Sequence, residues 1–193
     1  MSSTKVQGRV ATKSGPGAAT RKNPKAKATP LPEVGGGKTG NKRWWNTLLT
    51  RKRPIGSIYG ITPIDRIGLV RDGVPAEAMA VIAGDMGIAK WKLYATLGMP
   101  RATIERKARQ RRRLSPDEGE RVIGIARLIG QVEQIVHDSG NPEGFDSARW
   151  VGAWLNRPLP ALGGSLPATL MDTAEGREIV AGLIAQMQSG AYG

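Results

Sequence analysis

From residue 61 onward, apolar side chains return every three or four positions, the period of an amphipathic helix, and short Gly/Pro breaks cut the pattern into segments. Thr62 and Pro63 open the first segment as N-cap and first helical residue. Ile64, Ile67 and Val70 line one of its faces and Gly73 ends it. Pro75 opens the second, with Met79, Ile82 and Met86 inside and Gly87 at its end. Residues 88–107 read as two short helices meeting at Gly98, with Leu93 and Leu97 on the inner side of the first and Ile104 on that of the second. Ser115-Pro116-Asp117-Glu118 combines an N-cap, a proline at N1, acids in the first turn and a glutamate at N3. Behind it Val122, Ile125, Ala126, Ile129, Val132 and Val136 form one stripe of a helix that runs to about Asp138, where Ser139-Gly140-Asn141-Pro142 breaks it. Asp146 caps a short helix carrying Trp150, Val151, Trp154 and Leu155, and Asn156-Arg157-Pro158 stops it. The last helix starts near Asp172, read as an N-cap with Glu175 three residues on, and its stripe is Ile179, Val180, Leu183, Ile184 and Met187. Gly176 and Gly182 interrupt it at about 1 kcal/mol each relative to alanine, a cost that implies close packing there. No run alternates with the period of a strand, so the expected fold class is all-α.

The first forty-odd residues have no such period. They are Ser, Thr, Gly, Pro, Lys and Arg with scattered alanine, a composition that cannot bury enough surface to offset the entropy of ordering. The expected organisation is a basic, largely disordered arm over residues 1–54, a helical domain over 55–140 and a second helical module over 141–193. Within the arm, Gly35-Gly36-Gly37-Lys38-Thr39 is not a phosphate loop, because Pro32 stands where such a loop needs its first glycine and no strand leads in. Trp44, Trp45, Leu48 and Leu49 sit between Lys42-Arg43 and Arg51-Lys52-Arg53, either as base-stacking indoles or, the favoured reading, as a short amphipathic turn docked on the body.

Charge sharpens this division. Formal net charge is +13, and residues 1–53 carry 13 Lys/Arg against one acid. A chain this basic meets a polyanion, and nucleic acid is the default. The arm is then either a phosphate-tracking segment or a solubilising tail. In the remainder, 16 Lys/Arg nearly balance 15 acids, and the one strongly basic window is 101–113, at net +6. It directly follows the turn at Gly98.

A turn glycine with a buried aliphatic residue six positions later is the spacing of a DNA-binding helix-turn-helix, and Gly98 and Ile104 meet it. Tyr94 departs from the small residue usual four positions before the glycine, which points to a looser or differently angled contact between the helices. The candidate DNA-binding residues are Arg101, Thr103, Arg106, Lys107, Gln110, Arg111, Arg112 and Arg113. Arg pairs with guanine and Gln with adenine in the major groove, while Arg111, Arg112 and Arg113 suit phosphates.

Other classes are excluded or disfavoured. With one histidine and no cysteine no Ser/His/Asp or Cys/His set is available in useful form, and there is no disulfide or thiolate metal site, so neither an enzyme nor a cofactor is expected. His137 reads as a surface or capping residue near the end of its helix. No apolar run reaches the roughly 20 residues that span a bilayer, and the absence of cysteine suits a cytoplasmic protein.

Two stretches carry a family resemblance. Trp154-Leu155, Pro158, Ala161-Leu162-Gly163-Gly164, Pro167, Leu170, Thr173, Gly176, Val180, Leu183 and Gly190-Ala191-Tyr192 together resemble the C-terminal toxin-binding domain of the Xre/MbcA/ParS antitoxins. The stretch from Gly73-Val74-Pro75 to Arg113-Leu114-Ser115 is similar to the Xre-like N-terminal half of the same family. The resemblance implies an antitoxin of a type II system that neutralises a RES-type, NAD-degrading toxin by covering its active site with the C-terminal segment. It also implies binding to the operon's own operator as a repressor. The toxin-binding residues implied are Gly190, Ala191, Tyr192, Gly193, Met187, Trp154, Gly163 and Gly164, with Trp150, Trp154, Leu162 and Leu183 mostly building the module's core. A homodimer or larger toxin–antitoxin assembly is expected. The competing readings are a stand-alone helix-turn-helix regulator and a nonspecific nucleic-acid-binding protein acting through the arm.

Overall fold

The computed structural model describes residues 38–140 and 142–188, and every regular element among them is helical. In chain order these are α1 (Lys38–Leu49), a 3-10 turn (Ile55–Ile58), α2 (Pro63–Arg71), α3 (Ala78–Asp85), α4 (Lys90–Thr96), α5 (Arg101–Arg109), α6 (Pro116–Asp138), α7 (Ser147–Trp154), 3-10 turns at Pro160–Leu162 and Pro167–Leu170, and α8 (Ala174–Gln188). No strand forms among the described residues. A single antiparallel bridge between Pro75 and Arg113 is the one extended pairing there.

α6 is the axis of the fold. The capping box expected at Ser115 and Glu118 is complete: Glu118 N donates to Ser115 Oγ at 3.4 Å, and Ser115 N donates to Glu118 Oε2 at 2.7 Å. Its 23 residues reach about 34 Å, enough to touch both halves of the chain. It packs against the first 3-10 turn, α2, α7 and α8, burying Val122, Ile125, Ala126, Ile129 and Val132. The turn Ile55–Ile58 rests directly on α6 at Gly130, where a Cβ would collide with the carbonyl of Gly56. Residues from both sides of the linker at 139–146 enter one hydrophobic cluster, Leu69, Ile82 and Ile104 together with Val151, Val180 and Ile184.

Several elements differ from the sequence reading. The helical body starts well before residue 55: α1 begins at Lys38, and Trp44, Trp45 and Leu48 are buried with Ile55 and Ile58. The docked reading of these indoles holds, on a full helix rather than a turn. Three large apolar side chains on one face are enough to seat that helix despite the basic residues around it. Pro75 does not begin α3, which starts at Ala78. The chain at 74–76 instead pairs with 112–114, Leu114 N to Val74 O at 2.8 Å and Ala76 N to Arg112 O at 3.1 Å. In α2 the inward residue is Leu69, whereas Ile64 and Ile67 are exposed. The N-cap of α8 is Thr173, whose Oγ1 accepts from Gly176 N at 3.0 Å, and Asp172 is left to turn elsewhere. Of the two α8 glycines, Gly176 is buried against the Leu170 carbonyl, but nothing lies near the place a Cβ would take at Gly182.

Candidate functional site

The turn between α4 and α5 is built as its spacing requires. Gly98 sits at φ +61°, a left-handed angle that glycine adopts freely. Leu93, Leu97 and Ile104 are fully buried and hold the two helices together. Tyr94 is buried as well. Burial, and next the negative charge of Glu105, pushes its phenol above the ordinary range, with Arg101 pulling the other way. The bulky ring is thus taken into the core beside α5.

Two long-range contacts anchor this turn. Arg121 of α6 donates from Nη1 to the carbonyl of Leu97, the C-cap of α4, at 3.0 Å and to that of the turn residue Gly98 at 2.9 Å. Lys107 of α5 pairs with Glu118 of α6 at 2.5 Å, with both side chains mostly buried. The pKa of Glu118 reflects this setting. Burial would raise it, but the Lys107 hydrogen bond, the Ser115 N–H, the Lys107 charge and the Ser115 hydroxyl outweigh burial and hold it below the ordinary range.

The sequence-derived DNA residues therefore divide. Arg106 is exposed on α5, and Arg101 is exposed but paired with Glu105 at 2.8 Å. Thr103 is half-buried, and Lys107 is engaged by Glu118. α5 ends at Arg109, so Gln110, Arg111, Arg112 and Arg113 lie beyond the helix. All four are exposed; Arg111 takes a left-handed angle, φ +50°, and Arg113 Nη1 donates to the Gly73 carbonyl. They form a basic corner at the helix end rather than one continuous helical face. Two exposed residues of α4 and α5 stand outside the candidate list, although Arg109 belongs to the basic window at 101–113. Arg109 is exposed in the last turn of α5, and Trp91 is 56% exposed on α4 between Lys90 and Lys92, a basic–aromatic interleaving visible in the sequence.

The C-terminal module is held by α7 and α8. Asp146 caps α7 by accepting from Arg149 N at 2.9 Å. Trp150 and Trp154 stack at 5.7 Å with planes 13° apart; Trp154 is buried and Trp150 partly so. Gly163 and Gly164 take φ +61° and +85° in an exposed turn with nothing packed on them. α8 buries Val180, Leu183 and Ile184 and leaves Ile179 and Met187 exposed, with Gly182 open on the same helix. The candidates Gly190, Ala191, Tyr192 and Gly193 lie outside the described residues.

The described residues hold no group of three or more His, Asp or Glu able to bind a metal, and no helix among them is long and apolar enough to cross a membrane. Two family models match the chain. The family described as antitoxin Xre-like helix-turn-helix domain matches residues 65–127. The family described as antitoxin Xre/MbcA/ParS C-terminal toxin-binding domain matches residues 143–190. The chain is also similar to a Prs ADP-ribosylating antitoxin of Sphingobium sp. (strain YBL2), at 40% identity over 136 residues that cover 70% of this chain and 86% of that protein.

Proposed function

The chain belongs to the Xre/MbcA/ParS family of antitoxins, and from that premise we propose that it silences a RES-type, NAD-consuming toxin with its C-terminal segment and represses its own operon through α5. It is a type II antitoxin, acting by binding rather than by catalysis. The observation that carries the neutralising half is the outer side of α8. Ile179 and Met187 stand exposed on the helix that precedes residues 189–193 in sequence, so α8 offers apolar area to a partner. Ala191 and Tyr192 supply small size and then a large ring at little entropic cost, a composition suited to filling a cavity. The relative's name speaks of ADP-ribosylation, a reaction that spends NAD as donor. NAD is therefore the substrate common to a degrading and a transferring toxin.

The repressing half rests on the exposed cations at and beyond the end of α5, Arg106, Arg109, Arg111 and Arg112, beside a turn of the right build. Lys107 contributes less than its position suggests, because Glu118 already neutralises it.

Co-expression tests the first half. The full chain restores growth to cells making the toxin and preserves their NAD pool, and deletion of residues 190–193 abolishes rescue without weakening DNA binding. Rescue that survives the deletion places neutralisation elsewhere. For the second half, Arg106→Ala with Arg109→Ala weakens binding to the upstream duplex and lowers the salt slope by about one for each phosphate no longer neutralised. An unchanged slope removes α5 from the interface and shifts suspicion to the basic residues preceding α1.

A further inference from the structure

α2 carries an apolar stripe that the fold does not use. Ile64 is 76% exposed and Ile67 45%, and Tyr59 beside them is exposed as well. Residues three apart on a helix share a face, so this is one continuous apolar edge. Ile67 and Tyr59 line a groove of about 630 Å³ between α2, α6 and α8, and Ile64 extends that edge by one helical turn. Four arginines line that groove, Arg66, Arg71, Arg127 and Arg177, against two glutamates, Glu120 and Glu178. None of the four forms an ion pair with a carboxylate among the described residues. Arg66 donates to the carbonyls of Tyr59 and Ile61, and Arg177 to that of Met171 at 3.2 Å, so backbone acceptors position these two guanidinium groups. Burial and then the charge of Arg127 disfavour the charged form of Arg66; burial and then Arg121 act in the same way on Arg177, outweighing Glu120, Asp172 and Glu178.

The occupant has to satisfy both the exposed aliphatic edge and a groove in which arginines outnumber carboxylates four to two. A second copy of the chain, paired about a two-fold axis, would set one cationic groove against another. A nucleic-acid backbone would answer the arginines, but it would bring hydrated phosphates to Ile64 and Ile67 and bury no apolar surface there. Carboxylates alternating with aliphatic side chains on one segment answer both.

We propose that this groove is a docking site for an acidic, aliphatic segment of a protein partner. Its arginines take the carboxylates, and the Ile64–Ile67–Tyr59 edge takes the aliphatic side chains. The site is separate from both the α5 surface and the outer side of α8.

The test uses the full chain and fluorescence anisotropy with a short labelled peptide of Glu and Leu, the leucines at helical spacing. Two control peptides replace Glu by Lys or Leu by Ser. The Glu/Leu peptide saturates, and Arg127→Gln and Ile64→Ser each weaken it by about tenfold. Both substitutions lie on exposed side chains, so an unchanged melting curve accompanies the loss, and the basic N-terminal residues are the same in every variant. Three results overturn the proposal. The Glu/Ser peptide binds as tightly as Glu/Leu. A mixed-sequence DNA duplex displaces the peptide and loses affinity in the same two variants. Or Ile64→Ser converts a dimer into a monomer in sedimentation, which makes a second copy the occupant.

Discussion

A Cβ placed on Gly98 would lie 2.8 Å from the Cβ of Asp172, so the turn of the helix-turn-helix touches the segment that leads into α8. Asp172 is available for this because Thr173, and not Asp172, caps α8. Arg121 reaches the same turn from α6. The proposed DNA-reading element is therefore buttressed by the module that the family uses to bind toxin.

Gly98→Ala strains a left-handed angle and crowds Asp172 at once. The expected loss is about 2–4 kcal/mol of unfolding free energy, read from urea denaturation. A loss under about 1 kcal/mol would show that the crowding is easily relieved.

Arg121→Ala removes two hydrogen bonds from one guanidinium to the turn carbonyls. Because the site is partly solvated, stability falls by only about 1 kcal/mol, whereas affinity for the upstream duplex falls more than that because α5 loses its orientation. Arg121→Lys restores part of both, since an ammonium keeps the charge but lacks the planar fork. Equal affinities in all three proteins would separate the turn's anchoring from DNA binding.

Glu118 is held below its ordinary value of 4.5, so the native state binds its proton less tightly than the unfolded chain does. The stability this contributes is complete above that value and is lost as pH falls through the lower, native value. Unfolding titrations from neutrality into acid show a steeper decline below about pH 4.5 for the parent than for Glu118→Gln. Parallel curves would mean that Glu118 binds its proton equally well in the folded and unfolded chain.

The two α8 glycines respond with opposite signs. Gly176→Ala drives a methyl into the Leu170 carbonyl and costs at least about 2 kcal/mol. Gly182→Ala meets nothing and gains about 1 kcal/mol of helix propensity. Thermal melts of both variants decide the matter; a destabilised Gly182→Ala would reveal a neighbour that the isolated chain lacks.

Much of the fold was readable from residue patterns. Ser115 and Glu118 announced the start of α6 because a capping box is a local interaction, complete within four residues. Gly98 and Ile104 marked the turn for the same reason. The misreadings occurred where two local solutions compete. Asp172 and Thr173 are both good caps; Thr173 takes the role, and Asp172 lies against the Gly98 turn. Ile64 and Ile67 have core spacing, yet Leu69 took the inward place because α6 packs on that side.

Taken alone, the sequence determined the order and most ends of the helices from α2 onward, along with the basic character of the α5 region, because periodicity, caps and charge act over a few residues. The tertiary structure decided which of those charges remain free. Lys107 and Glu118 are eleven residues apart and meet only when α5 folds onto α6, and Arg121 finds the Gly98 carbonyl across a still longer gap. Such pairings depend on how helices are placed in space, which no local pattern encodes.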